Sequence, residues 1–242
     1  MKKTLLFSNV IGDVTAKEND NIKFNKHMEE FLIEHIKKDY KLVFINAPGL
    51  GGEENYLNNI IKCFKEINIE FSGIFDLEFN SDPNKLENFI KDENEIVYFL
   101  MGGNPLTQME IIKKFNLENR IKEHNGLVIG FCAGAINLSK YSIITTDEDF
   151  DKCQSYEGIG RIKLIIEPHY NVSDDENRNK EIKDFAKQYN QTIYAVPDES
   201  IIVVENDNII EYGKIYHIVV KNNWEVFAEY ETDNKCRWFW FE

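Results

Sequence analysis

The sequence lacks several features that would place it in common functional classes. It has 28 lysine and arginine residues against 42 aspartate and glutamate residues, so its formal net charge is −14. That charge disfavours nucleic acid as a partner, because phosphates require a cationic surface. No apolar run approaches the roughly 18 residues of a membrane span, and the first apolar stretch is too short for a secretory signal. We therefore expect neither a nucleic-acid nor a membrane partner.

Cysteine is scarce and is not arranged for metal binding. The four cysteines are Cys63, Cys132, Cys153 and Cys236, and none belongs to a C-x-x-C pair. Without a secretory signal, a reduced cytoplasmic setting is the simplest interpretation. In that setting each cysteine is either a small apolar residue or a reactive thiol. Cys63 lies beside a predicted helix face and is expected to be structural. We expect no metal and no cofactor.

What the sequence does contain is an alternation of apolar runs and helical periodicity. Apolar runs predict strands at 41–46, 95–100 and 127–130. Strands that alternate with helices form a mainly parallel sheet covered on both faces. The predicted fold is therefore α/β: a three-layer α-β-α, doubly wound, flavodoxin-like sheet in one domain over 1–242. The short strands and polar turns of 192–242 predict an antiparallel appendage on the same sheet.

Two other segments carry expectations of their own. The stretch 147–160 has no periodicity, and it is predicted to be an active-site loop. The aromatic run at 238–241 predicts a packed strand, or alternatively an oligomer contact, so a homodimer is the candidate assembly.

The strongest functional signal is the sequence GFCAGA at 130–135, directly after the apolar run LVIG. The pattern G-x-C-x-G is typical of a nucleophile elbow, with cysteine in place of serine. Such a turn places its central residue at the carboxyl edge of the sheet, where the next helix begins. Exposed amides there favour a thiolate and can bind an oxyanion. Cys132 is therefore the candidate nucleophile, although a packed cysteine in a tight turn is the structural alternative.

Two more segments end apolar runs in a way that fits this reading. Gly102 and Gly103 form a turn whose amides could complete an oxyanion hole. His169 follows the apolar run IKLII and the pair Glu167-Pro168. A histidine at the carboxyl end of a parallel strand can reach a nucleophile on a neighbouring strand and act as its base.

Together these motifs resemble the peptidase E (aspartyl dipeptidase) and cyanophycinase family over roughly 4–207. The family pattern combines a Gly-Gly-Asn turn, the elbow G-x-S-A-G-A and a downstream Asn-Pro-His segment. Here these are 102–104, 130–135 and 167–169. Asp147 lies 15 residues after Cys132, and His169 lies 22 residues after Asp147, as in peptidase E. Glu176-x-Arg178 is similar to the family's Glu-Thr-Arg.

The resemblance implies a role for each matching residue. Cys132 is the nucleophile and His169 its base, with Asp147 as the third member and Glu176 as the competing acid. The amides of Gly102, Gly103 and Ala133 form the oxyanion hole. Asn104 and Arg178 bind the substrate, the latter by holding a carboxylate. The expected activity is hydrolysis of a small peptide or an isopeptide-like amide through a thioester on Cys132.

Departures from the family pattern keep other functions open. Cysteine replaces serine, Pro105 replaces the usual threonine, and Glu167 replaces the usual asparagine before the Pro-His pair. One alternative is a catalytically silent binding or regulatory member of the same family. Another is a glutamine amidotransferase-like enzyme, although the His-x-Glu of that class is His169-Tyr170-Asn171 here. A chaperone or deglycase with a cysteine elbow is supported by the fold alone.

Overall fold

A computed structural model describes most of the chain, with side-chain environments as far as Val219. The described residues are 2–15, 21–48, 56–91, 95–147, 150–171, 176–221 and 224–232. The predicted aromatic strand at 238–241 and Cys236 lie outside them.

Seven helices and twelve strands are present in the described residues. The helices are α1 (Lys26–His35), α2 (Tyr56–Glu66), α3 (Pro83–Phe89), α4 (Pro105–Lys114), α5 (Glu118–Glu123), α6 (Ala133–Leu138) and α7 (Glu176–Tyr189). The strands before α7 are β1 (Lys3–Phe7), β2 (Lys41–Ile45), β3 (Gly73–Leu77), β4 (Ile96–Leu100), β5 (Leu127–Phe131), β6 (Tyr141–Ile144), β7 (Gln154–Glu157) and β8 (Ile165–Pro168). The strands after α7 are β9 (Ile193–Val196), β10 (Ile201–Glu205), β11 (Asn208–Lys221) and β12 (Trp224–Thr232).

The main sheet has the strand order β3-β2-β4-β5-β1-β10-β11-β9-β8, with β12 paired to β11. The first five strands in this order are parallel. Antiparallel pairing starts where β10 meets β1 and continues through β11 to β9, whereas β8 and β9 are again parallel. The prediction of an α/β fold with a mainly parallel sheet is confirmed.

The late strands correct the idea of an appendage. β10 and β11 lie inside the sheet, between β1 and β9, and do not extend its outer edge. The long strand β11 pairs with β10 through residues 208–212 and with β9 through 216–218. Gly213 lies between these two halves with a φ of 81°, a left-handed conformation that glycine adopts at little cost. β11 therefore joins the two parallel parts of the sheet.

The segment predicted to be an active-site loop is partly a strand. β7 pairs antiparallel with β6 in a separate two-stranded sheet, and Ile143 lies opposite Ser155. The sequence of β7 is QSYE, which has no alternation of apolar and polar residues, so the periodicity that marks a strand is absent from it.

Apolar layers cover both faces of the sheet. On one face, α1 and α2 contribute Met28, Leu32, Ile60 and Phe64 to a buried cluster. On the other face, α3 to α6 pack against the opposite side chains of the same strands, as expected for parallel strands buried on both sides. Cys63 belongs to the first cluster, and burial raises the pKa of its thiol to about 12. No described helix is both long and apolar enough to cross a membrane.

A buried arginine joins elements at the amino ends of the strands. Arg161 is 6 % exposed, and its guanidinium donates to neutral oxygens of β1, α5 and the segment before β5. The acceptors are Thr4 Oγ1 at 2.9 Å and the carbonyls of Lys3 at 2.9 Å, Ile121 at 2.7 Å, His124 at 2.9 Å and Gly126 at 3.1 Å. Hydrogen bonds to a charged group are stronger than neutral ones, so this residue stabilises the amino ends of the central strands β1 and β5.

Replacement of this arginine should destabilise the fold strongly. We expect Arg161→Leu to lower the free energy of unfolding by about 3 kcal/mol, because several buried carbonyl groups lose their donors at once. Urea denaturation followed by circular dichroism would measure the change. Arg120→Leu is the control, since Arg120 forms a surface pair with Glu87 at 3.3 Å that should contribute under about 1 kcal/mol. Equal losses in the two variants would contradict the interpretation.

Candidate active site

Cys132 occupies a sharp turn between β5 and α6. Its φ is 48° and its ψ is −107°, a conformation that residues with a side chain rarely adopt. Backbone hydrogen bonds hold the turn. The Cys132 amide donates to the Phe7 carbonyl of β1 at 2.9 Å, and the Cys132 carbonyl accepts from the amides of Ala135 and Ile136. The side chain is half-buried. The geometry is that of the tight strand-to-helix turn, or elbow, that the motif G-x-C-x-G predicts.

Small residues beside the elbow are required by its packing. A Cβ on Gly134 would lie 2.1 Å from the Leu100 carbonyl oxygen at the end of β4. α6 therefore approaches β4 more closely than any side chain would permit.

His169 reaches the elbow from a distant strand in the sheet order. β1, β10, β11 and β9 separate β5 from β8, so the two strands are not neighbours as the sequence suggested. Hydrogen bonds at the carboxyl end of β1 bring the end of β9, the neighbour of β8, close to β5. Ser8 Oγ donates to the Val196 carbonyl at 2.7 Å, and Asn9 Nδ2 donates to Asp198 Oδ2 at 3.2 Å. The ends of β1 and β9 therefore meet.

Asp198 and Cys132 both act on the imidazole of His169. The ring Nδ1 lies 2.6 Å from Asp198 Oδ1, which leaves Nε2 for the sulfur. Burial by itself would lower the pKa of His169. The charge of the Cys132 thiolate, its hydrogen bond to the ring and the Asp198 carboxylate reverse that effect and raise the pKa to about 10. The imidazolium form is thus favoured at neutral pH.

The hydrogen bond from His169 is also the main cause of a shift at Asp198. It holds the pKa of the Asp198 carboxyl below its usual value, against the opposing effect of partial burial. The imidazolium charge and the Asn9 amide act in the same direction as that hydrogen bond. Cys132, His169 and Asp198 thus form one connected chain of interacting side chains.

The turn after β4 lies against Cys132. A Cβ on Gly102 would be 3.2 Å from the Cys132 Cβ. Gly103 has a φ of 128°, and a Cβ there would lie 2.1 Å from the Ala47 carbonyl oxygen, so only glycine fits. Ala133 is the first residue of α6, and its amide has no partner one turn earlier in the helix. Gly102 and Ala133 therefore lie beside Cys132, and Gly103 follows Gly102 in the same turn.

Two buried amides that sequence reasoning missed connect this turn to the elbow helix. Gln108 Nε2 donates to the Met101 carbonyl at 2.8 Å, and Gln108 Oε1 accepts from Asn137 Nδ2 at 3.0 Å. Asn137 belongs to α6, and its Oδ1 accepts from the hydroxyl of Tyr156 at 2.5 Å. Polar residues inside helices with an apolar face were the available signal.

Comparison with known protein families agrees with this geometry. The model of peptidase family S51 matches residues 11–212, which is most of the sequence. The chain belongs to peptidase family S51. The resemblance to peptidase E seen in the sequence motifs is thereby confirmed. No curated protein matches this S51 chain closely enough to count as a relative.

Solved structures share the S51 fold. A protein described as a candidate peptidase E from Listeria monocytogenes EGD-e aligns with a TM-score of 0.58 at 14 % identity, covering 87 % of this chain and 98 % of its own. A peptidase from an acI-B1 Actinobacterium aligns with a TM-score of 0.60 at 15 % identity, covering 95 % and 96 %. At such low identity these likenesses establish the fold.

The carboxylate that contacts His169 in this S51 chain is neither of the two that the sequence predicted. Asp147 is exposed, and its carboxylate accepts from the Phe150 amide at 2.8 Å. Glu176 is an exposed residue at the start of α7. The Nδ1 of His169 is already bonded to Asp198, so neither predicted carboxylate holds that position. Asp198 follows β9, and Val196 of β9 lies opposite Pro168 of β8 in parallel register. The sequence prediction placed β9 in an antiparallel appendage, so it did not bring Asp198 near His169.

The two predicted substrate-binding residues of the S51 chain have structural partners. Asn104 Oδ1 caps α4 by accepting from the amides of Leu106 at 2.9 Å and Thr107 at 3.2 Å. Arg178 donates through Nε and Nη2 to Glu167 Oε1, at 3.0 and 2.8 Å. The guanidinium face that would hold a substrate carboxylate is thus directed at a buried glutamate.

Titration of His169 tests the assignment of Asp198. Asp198→Asn removes a negative charge beside the ring, so we expect the pKa of His169 to fall by about one unit or more. The change can be followed by NMR titration of the histidine ring. Asp147→Asn is the matched control and should leave the titration unchanged. A larger fall in the Asp147 variant would return the role to the residue that the sequence suggested.

Proposed function

We propose that this S51 chain is a peptidase E-like amide hydrolase whose nucleophile is Cys132. The observation that carries the proposal is the His169 imidazole, which lies 2.6 Å from Asp198 on one side and interacts with Cys132 on the other. A nucleophile, a base and a group that orients the base are the elements of covalent amide hydrolysis.

The reaction begins with attack by the Cys132 sulfur on the substrate carbonyl carbon. The sulfur forms a bond to carbon, and the carbonyl π electrons move to oxygen. The imidazolium of His169 then donates its proton to the amine nitrogen as the carbon–nitrogen bond breaks, leaving a thioester on Cys132. In the second half, neutral His169 takes a proton from water, the hydroxide oxygen attacks the thioester, and the thiolate departs. Asp198 keeps the ring oriented and supports its positive charge in both halves.

Backbone amides are the proposed stabilisers of the negative oxygen. Ala133 supplies one at the start of α6, and Gly102 and Gly103 supply others from the turn after β4. Each is fixed before the substrate arrives, so little reorganisation accompanies the reaction. The substrate class is a small peptide or isopeptide-like amide. No acidic substrate residue is required, because the Arg178 guanidinium that would bind its carboxylate already donates to Glu167.

Removal of the sulfur should abolish hydrolysis and leave the fold intact. We expect Cys132→Ala to lower kcat by about 10⁴-fold or more in a dipeptide-library screen under reducing conditions. Cys153→Ala is the control, since Cys153 is an exposed free cysteine and its loss should not matter. Turnover that persists in the Cys132→Ala variant would refute the proposal. Absence of any turnover in the unmodified protein, with Cys132 no more reactive than Cys153, would favour a catalytically silent family member.

Crowding of the oxyanion turn should reduce kcat more than it raises KM. Gly103→Ala introduces a Cβ that clashes with the Ala47 carbonyl, so the turn must move and its amide loses alignment with the oxyanion. A lost oxyanion donor costs about 10²-fold or more in kcat. Steady-state kinetics on any substrate found in the screen would measure the loss. A rise in KM alone would place Gly103 in substrate binding only.

A further inference from the structure

The left-handed backbone at His169 requires an explanation. Its φ is 52°, a left-handed conformation that is strained for a residue with a side chain. Among the described residues outside glycine, the other positive φ values belong to Cys132 and to Asn or Asp residues, which adopt this region readily. The elbow accounts for Cys132. At His169 the following peptide is bonded through the Tyr170 amide, which donates to the Val196 carbonyl at 3.2 Å.

Arg178 contacts both peptide groups that flank the His169 α-carbon. Its Nη2 donates to the Pro168 carbonyl at 2.8 Å, and its Nη1 donates to the His169 carbonyl at 3.3 Å. These two peptide planes define φ and ψ at His169. A group that fixes both oxygens therefore fixes the direction in which the imidazole leaves the backbone.

Arg178 is itself held by a buried carboxylate. Glu167 has a side chain only 3 % exposed, and its Oε1 accepts from Arg178 and from Thr145 Oγ1 at 2.7 Å. The planar guanidinium can serve a carboxylate and two carbonyls at once, whereas an ammonium is a single compact charge. Arg178 of α7 is thereby joined to the end of β8, directly beside His169.

We propose that Arg178, anchored by Glu167, is the positioning residue that holds His169 against Cys132. The inference rests on the proposed function, because it concerns the base of that reaction. Arg178 acts through the backbone of His169 and does not contact the reacting atoms.

The pH dependence of Cys132 alkylation by iodoacetamide reports the pairing directly and needs no substrate. The charged groups around the ring are Cys132 and Asp198, with Arg178 and Glu167 behind its backbone. A cation beside a thiol favours the reactive thiolate, so we expect rapid alkylation of the unmodified chain to persist at pH 6. The Cys132 peptide can be followed by mass spectrometry.

Loss of the arginine should remove that reactivity. We expect Arg178→Met to slow alkylation at pH 6 about tenfold or more, while the rate at pH 9 changes little, because the thiol then titrates as an ordinary one. Arg178→Lys should show an intermediate loss and remains informative if the Met variant does not fold. Arg120→Gln removes a surface arginine and should keep the original profile.

A double variant separates positioning from stability. Glu167→Met with Arg178→Met replaces the buried pair with apolar groups, which should recover most of the melting temperature. The alkylation rate at pH 6 should stay low, since neither carbonyl regains its donor. A folded variant that lacks Arg178 and keeps the original profile would overturn the inference. An ordinary thiol profile in the unmodified chain would instead refute the proposed function itself, and this inference with it.

Discussion

The imidazole of His169 lies between the Cys132 side chain and the Asp198 carboxylate, which come from different strands. Cys132 follows β5 and Asp198 follows β9, so three strand ends have to converge at the ring. The carboxyl end of β1 makes this convergence possible. Phe7 accepts the Cys132 amide, while Ser8 and Asn9 bond to the end of β9. Three consecutive residues therefore fix the separation between Cys132 and Asp198.

Backbone strain is concentrated at the same place. Cys132 and His169 are the described residues other than Gly, Asn or Asp that have a positive φ. Such conformations persist only where the surrounding structure holds them. The elbow is bonded to Phe7 and to the first turn of α6, and the guanidinium of Arg178 donates to the carbonyls of Pro168 and His169. Both strained residues belong to the contact between Cys132 and His169.

Buried polar groups connect the elements around this site. Gln108 and Asn137 link the turn after β4 to α6, and Glu167 links β8 to α7 through Arg178. A buried polar group that loses its partner costs more than its hydrogen bond contributes. Each pair therefore favours one relative placement of two elements, which apolar packing alone would define less sharply. Such placement matters most where a sulfur, a ring and an oxyanion must align.

Sequence by itself determined the alternation of strands and helices, the elbow at Cys132 and the histidine at the end of an apolar run. These features are local, because a tight turn needs small residues beside its nucleophile and buried strands need continuous apolar runs. Only the tertiary structure decided which carboxylate meets His169 and what Arg178 binds. Asp198 reaches the ring because β9 lies beside β8 in parallel, and Arg178 turns to Glu167 because a buried carboxylate requires a cation. Both facts depend on strand order and burial, which no spacing along the chain encodes.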